Sequence, residues 1–303
     1  MGYTDHFNFE REPFSNAPND KFYFDSDQHN QALLRLKYSV DSDKGLAVLV
    51  GGVGTGKTTL ARRMLDNLPV EKYESSLLVM IHSAITPEWI MSRICVQLGV
   101  GKPDPNPLKM LKQLYERLLM IEEEGRKAVV LIDEAQMLQT RELMEEFRGL
   151  LNLEIPDKKL LNIIFFGLPE LDDIMKLDAP LAQRVAFKYT LKPLSAEESL
   201  AYIDHRLQVV NCETSPFSTD ALVLIHEFSE GVPRLINTIC DNALFEAFLR
   251  HNTEVTAEVI NSVAEDLGLS AVDSIVAPVS EQEDSLDVSL EDIEIVFDGL
   301  EEN

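Results

Sequence analysis

The chain has 303 residues, 45% of them apolar, and a formal net charge of −25. That is apolar material for one large core and a smaller domain. No run of 18 apolar residues occurs and the opening Met1-Gly2-Tyr3-Thr4-Asp5-His6 is not a signal peptide, so neither a membrane span nor secretion is expected.

Residues 1–26 are rich in aromatics (Phe7, Phe9, Phe14, Phe22, Tyr23, Phe24), with Pro13 and Pro18 excluding a long helix. A helix is predicted over 28–40, capped by Asp25 or Ser26, and residues 1–44 are expected to pack on the core. Phe22 and Tyr23 are candidates to cover a purine face. The apolar run 46–50 then leads into Gly51-Gly52-Val53-Gly54-Thr55-Gly56-Lys57-Thr58, a complete G-x-x-x-x-G-K-[ST] phosphate loop. Its glycines let the backbone N–H groups of residues 51–59, Thr59 included, turn inward on phosphate oxygens. Lys57 reaches the β- and γ-phosphates and the Thr58 hydroxyl ligates Mg²⁺. Residues 57–68 have helical periodicity, which adds a helix N-terminus to the anion site. The ligand predicted is ATP with Mg²⁺.

From 45 to 192 apolar runs (46–50, 77–81, 128–132, 161–166, 186–191) alternate with helical patterns (57–68, 87–98, 107–124, 140–151). That alternation predicts an α/β core whose parallel sheet is sandwiched by helices. The third run ends in Asp133-Glu134, carboxylates placed at the carboxyl edge where such sheets bind ligands. Asp133 suits a Mg²⁺ ligand and Glu134 suits polarising the attacking water. Residues 193–269 read as a small all-α lid with helices near 195–210, 218–229, 232–250 and 256–266, the first opened by a Ser195…Glu198 capping box. Cys95, Cys212 and Cys240 are isolated within apolar-periodic segments and read as reduced core residues, and the six histidines lack ligand spacing.

After Leu269 the composition changes. Residues 270–303 hold eleven Asp/Glu and no Lys/Arg, a tail expected to be disordered alone. Within it Ile293, Ile295 and Phe297 alternate with other residues and are flanked by acids, a pattern fit to add a strand to a protein partner. The tail leaves a net −14 on residues 1–269, which counts against DNA as a partner unless an oligomer builds a local basic path.

Several ordered motifs resemble one family. They are Asp133-Glu134-Ala135-Gln136, the segment Glu145–Glu154, Gly167-Leu168-Pro169-Glu170-Leu171, Ala182-Gln183-Arg184 and Gly231-Val232-Pro233-Arg234-Leu235-Ile236-Asn237, preceded by Phe7…Glu12-Pro13-Phe14. Together they resemble the ExeA/GspA-type AAA+ ATPases, relatives of the TniB/TnsC/MuB group. The resemblance implies a P-loop NTPase core with strand order 5-1-4-3-2, a helical lid, and ATP-dependent assembly of a ring or filament of identical subunits. It implies that Arg184 is an arginine finger reaching a neighbour's γ-phosphate, and that Arg234 senses nucleotide from the lid. Arg234 opens a lid helix, where the positive dipole disfavours a cation that has no phosphate partner. Leu168 stands where relatives carry a polar first sensor, often Gln. Leucine cannot orient water, so either hydrolysis is slow or Gln136 supplies the missing contact. The expectation is a cytoplasmic ATPase serving a secretion or envelope machine, reached at the inner membrane through a partner. A DNA-binding regulator of transposition and a slow nucleotide-dependent scaffold are the alternatives.

Overall fold

The computed structural model describes residues 2–17 and 19–269. The expectations for 270–303, Ile293–Phe297 included, lie outside the described residues. Five parallel strands form the sheet: β1 (Leu46–Gly51), β2 (Tyr73–Val79), β3 (Lys127–Asp133), β4 (Leu161–Gly167) and β5 (Val185–Leu191). Their order is β2-β3-β4-β1-β5, the 5-1-4-3-2 arrangement that the resemblance implies. Around them lie α1 (Asp27–Asp41), α2 (Lys57–Asp66), α3 (Pro87–Gln97), α4 (Pro107–Glu123) and α5 (Arg141–Leu150).

Side chains alternate along a strand, so each central strand feeds two cores. Val48, Val50, Val130, Ile132, Ile163 and Phe165 are buried with residues of α3, α4 and α5. Ala47, Leu49, Val129, Leu131, Ile164 and Phe166 are buried with residues of α1 and α2. Covering both faces explains why these strands read as unbroken apolar runs.

β2 departs from the reading of its sequence. The apolar run 77–81 predicts the strand there, yet it occupies Tyr73–Val79 and the Ile81 side chain is 82% exposed. β2 is an edge strand, pairing from Tyr73↔Lys127 to Val79↔Asp133. An edge needs fewer apolar residues, so Glu74 and Ser75 serve within it and the apolar count misplaces its start.

The lid comprises α6 (Ala196–Val209), α7 (Thr219–Ser229), α8 (Pro233–Leu249) and α9 (Ala257–Asp266), with the Ser195/Glu198 capping box formed at its start. Gly231 passes against the strand-to-lid linker, its carbonyl accepting from Leu194 N at 2.8 Å. Its φ is +72°, and a Cβ there would lie 1.9 Å from the Leu194 carbonyl oxygen, so only glycine fits.

The aromatic segment packs on this lid, which corrects its expected placement on the core. Tyr3, Phe9, Phe14 and Phe22 are buried among lid residues, with Phe14 edge-on to Phe217 at 5.9 Å. Four short helices leave their apolar interior open on one side, and the aromatic rings close it. α1 is the part of residues 1–44 that lies on the core. All three cysteines are free; Cys95 and Cys240 are buried and Cys212 is half-buried.

Candidate nucleotide site

The carboxyl ends of β1, β3 and β4 meet the start of α2 and the lid around a cavity of about 260 Å³. The phosphate loop leaves β1 and enters α2 at Lys57, so Lys57, Thr58 and Thr59 form the first helical turn. Val53, Gly54, Thr55, Gly56 and these three residues line the cavity. Gly51 and Gly52 anchor the loop behind it: Lys57 Nζ donates to Gly52 O at 2.8 Å and Thr55 Oγ1 to the same carbonyl at 2.9 Å. Burial pushes the Lys57 amine down, while the Glu134 and Asp133 carboxylates oppose the shift.

Asp133 ends β3 fully buried. Its Oδ1 accepts from Glu134 N at 3.0 Å, and its Oδ2 has no hydrogen-bond partner among the described residues. Burial pushes this carboxyl up, and the adjacent Thr58 side chain is among the groups that oppose it. A buried carboxylate oxygen without a partner is costly unless a cation or proton satisfies it. The pair fits Mg²⁺, which takes one or two protein oxygens and completes its shell with water and phosphate. No cluster of three or more His, Cys, Asp or Glu side chains that could hold a metal occurs among the described residues.

Glu134 sits next to it in left-handed backbone conformation, φ +56°. That is uncommon for a residue with a side chain and signals a constrained position. The short turn Ala135–Met137 follows and folds Gln136 back toward β4. Gln136 Nε2 donates to Glu134 Oε2 at 2.5 Å, and Gln136 Oε1 accepts from Leu168 N at 3.1 Å.

The lid closes over the loop. Arg234 N donates to Gly54 O at 3.3 Å. A Cβ on Gly54, whose φ is +78°, would lie 2.9 Å from both Arg234 Cβ and Val232 Cγ1. The Arg234 side chain lines the cavity and makes no ion pair among the described residues. On the far side Phe22, Tyr23 and Phe24 form a wall with Tyr202. Tyr23 lies under the Arg63 guanidinium at 5.1 Å, and burial pushes its phenol up to about 12.

An AAA domain profile matches residues 40–175. The general secretion pathway protein A of Aeromonas hydrophila is 38% identical over 256 residues, covering 84% of this chain and 46% of that protein. The chain carries an AAA domain and resembles general secretion pathway protein A. It spans less than half the length of that relative. Among solved structures, the Aeropyrum pernix ORC2 protein aligns with TM-score 0.63 at 17% identity, over 85% of this chain and 72% of that one. A chain of Drosophila ORC bound to DNA aligns with TM-score 0.61 at 18% identity, over 89% and 66%. At such identities the likeness is one of fold.

Arg184, read as reaching a neighbour's phosphate, and Gln136 both lie outside the cavity. Arg184 is outside the cavity, just before Val185, which pairs with Leu46 at the amino end of β1. The phosphate loop leaves the opposite end. Arg184 Nη1 donates to Arg148 O at 3.1 Å and Asn152 Oδ1 at 2.6 Å, so within one chain it cannot serve its own cavity. Gln136 is engaged at both ends of its amide and does not line the cavity, which corrects the reading of it as a substitute phosphate sensor. Leu168 does line the cavity.

Two residues carry no motif, and only their packing brings them to the site. Buried His29 sets Nδ1 2.7 Å from Ser26 Oγ and packs α1 against the phosphate loop, where a Cβ on Gly56 would lie 3.2 Å from His29 Nε2. Arg206, 4% exposed, donates to Pro13 O at 2.6 Å, Ser15 O at 2.8 Å and the Tyr202 hydroxyl at 2.7 Å. A cation inside an apolar helical stripe was the one available signal for Arg206. It does not say which backbone the cation binds.

Proposed function

We propose that this AAA protein binds ATP with Mg²⁺ in the cavity and hydrolyses it to ADP and phosphate. The observation that carries the reading is the buried, unpartnered Asp133 oxygen beside Thr58, behind a cavity lined by Lys57, Thr58 and Glu134. The phosphate-loop N–H groups and Lys57 bind the phosphates, Lys57 exchanging its Gly52 carbonyl for a phosphate oxygen. Thr58 and Asp133 would hold Mg²⁺, which would supply charge neutralisation to the phosphates. Glu134 takes the proton of the attacking water. Arg234 brings a cation from the lid, so its position reports nucleotide to the lid helices. The aromatic wall takes the base.

The nucleotide also governs self-assembly in this reading. Arg184, remote from its own cavity, serves a neighbouring subunit's phosphate, which makes a ring or filament the active form. The name of the relative from Aeromonas hydrophila favours service to a secretion or cell-envelope machine. Among the described residues no helix is long and apolar enough to cross a membrane, so a cytoplasmic chain would meet such a machine through a protein partner, with Ile293–Phe297 as the docking segment. Lys57→Ala should abolish ATP binding. Glu134→Gln should retain it and lose turnover by about 10²–10⁴-fold. Equal ATP affinity in Lys57→Ala and the parent would refute the site.

Leu168 favours a second reading, a nucleotide-dependent scaffold of slow turnover, because its side chain puts no polar group on that side of the cavity. Leu168→Gln separates the two: faster hydrolysis supports the scaffold reading. Turnover that is unchanged and already fast removes it.

A further inference from the structure

We propose that Gln136 is the positioning residue for the Glu134 carboxylate, a strut that spans the ends of β3 and β4 and orients the base. The proposal rests on the assignment of Glu134 as the base.

Three observations converge on Gln136. Its side chain is buried, 7% exposed, at the carboxyl edge of the sheet. Its amide is used at both ends, Nε2 donating to Glu134 Oε2 at 2.5 Å and Oε1 accepting from Leu168 N at 3.1 Å. Room for that amide exists because residue 167 is glycine: a Cβ there would lie 3.2 Å from Gln136 Oε1 and 2.9 Å from Leu171 Cδ2. The Leu168 N–H can only donate, so it fixes which end of the amide is oxygen. The NH₂ end is thereby directed at Glu134. One carboxylate oxygen is then committed and the other is left for the cavity, which Glu134 lines.

The backbone requires such a strut. Glu134 is held in left-handed conformation, which leaves its side chain without the support of a regular strand or helix. A carboxylate on a strained turn would otherwise sample several rotamers. Misplacing a reacting group by about 1 Å costs on the order of 10²-fold in rate. Because Gln136 also grips β4 beside Leu168, a shift of that cavity-lining strand end is passed to the base through one side chain. Gln136 touches no reacting atom and acts only through Glu134.

The test is a double-variant cycle on the full chain, using Gln136→Met, Glu134→Gln and both together, read as kcat and KM for ATP and as affinity for a fluorescent ATP analogue. Methionine keeps the length and volume and removes both hydrogen bonds. Gln136→Met should lower kcat about 10–100-fold with KM and analogue affinity unchanged. The double variant should turn over at the rate of Glu134→Gln alone, since a strut without its base has nothing left to place. Gly167→Ala, which crowds the amide from the other side, should reproduce the kcat loss without touching Gln136. A further equal loss in the double variant overturns the proposal, because it would mean an effect that bypasses Glu134. Unchanged kcat in Gln136→Met, or a loss confined to KM, overturns it too. Wild-type turnover in Glu134→Gln overturns the base assignment, and the strut with it; loss there with additivity in the cycle overturns the strut alone.

Discussion

Arg206 is predicted to hold both the fold and the nucleotide wall. Its guanidinium makes three short hydrogen bonds, two of them to carbonyls of the N-terminal segment, and lies over the Phe22 ring at 4.7 Å. Two effects oppose each other on removal. Discarding a buried cation without a carboxylate partner recovers its desolvation cost. Against that, hydrogen bonds to a charged donor contribute about 1.5–3 kcal/mol each, and carbonyls left bare inside are penalised further. Three well-placed acceptors and a ring face already replace the water that Arg206 loses, so the second effect should win. Allowing for non-additivity, Arg206→Met should cost roughly 3–6 kcal/mol, a large share of the roughly 5–15 kcal/mol that holds a typical domain. Methionine retains much of the stem volume, so the loss reports the hydrogen bonds rather than a cavity. Urea unfolding measures the stability, and titration with a fluorescent ATP analogue measures the wall. Affinity should fall because Ser15 and Phe22 line the cavity and Arg206 contacts both. A destabilisation below about 1 kcal/mol would refute the accounting. Full destabilisation with unchanged affinity in the folded fraction would refute the link to the site.

Gly54→Ala should impair lid closure, since the new Cβ would lie 2.9 Å from both Arg234 and Val232 at a backbone φ of +78°; increased proteolysis of the lid linker in ATP, with stability of the isolated core reading unchanged, is the outcome to look for. Burial holds His29 below its ordinary value of 6.5, so it stays neutral in the fold while the unfolded chain protonates. The stability it contributes is complete above that value and is lost as pH falls through it toward the depressed folded one. His29→Gln should therefore flatten the decline in urea stability between about pH 7 and pH 5 relative to the parent, and parallel curves would contradict the argument. If Arg184 serves a neighbour, activity per subunit should rise with protein concentration, and mixing Arg184→Ala with Glu134→Gln should restore part of it; turnover independent of concentration, with no complementation, would mean a site complete in one chain.

Local chemistry made much of this protein legible from sequence. A glycine-rich run between an apolar strand and a helix admits few conformations, so Gly51–Thr58 could be placed without coordinates. Two acids ending an apolar run marked the carboxyl edge, because residues buried on both faces of a sheet cannot be charged. The capping box at Ser195 located the first lid helix for a similar reason, the motif satisfying its own backbone donors.

Tertiary structure decided what depends on distant partners. Nothing in Tyr73-Glu74-Ser75-Ser76 says strand until β2 is known to be an edge that needs only half its residues inside. The N-terminal aromatics advertise burial but not the surface that buries them, and the open lid interior won over the core. Gln136 carries an amide that could face phosphate or protein; the space at Gly167 and the N–H of Leu168 chose protein. Arg184 reads as a finger in either orientation, and only the strand register sets it at the opposite end of the sheet from its own phosphate loop. Hydrogen bonds formed within a few residues are written in the local pattern. Those that close across 32 residues, like Gln136 to Leu168, or 193, like Arg206 to Pro13, exist only once the chain has folded.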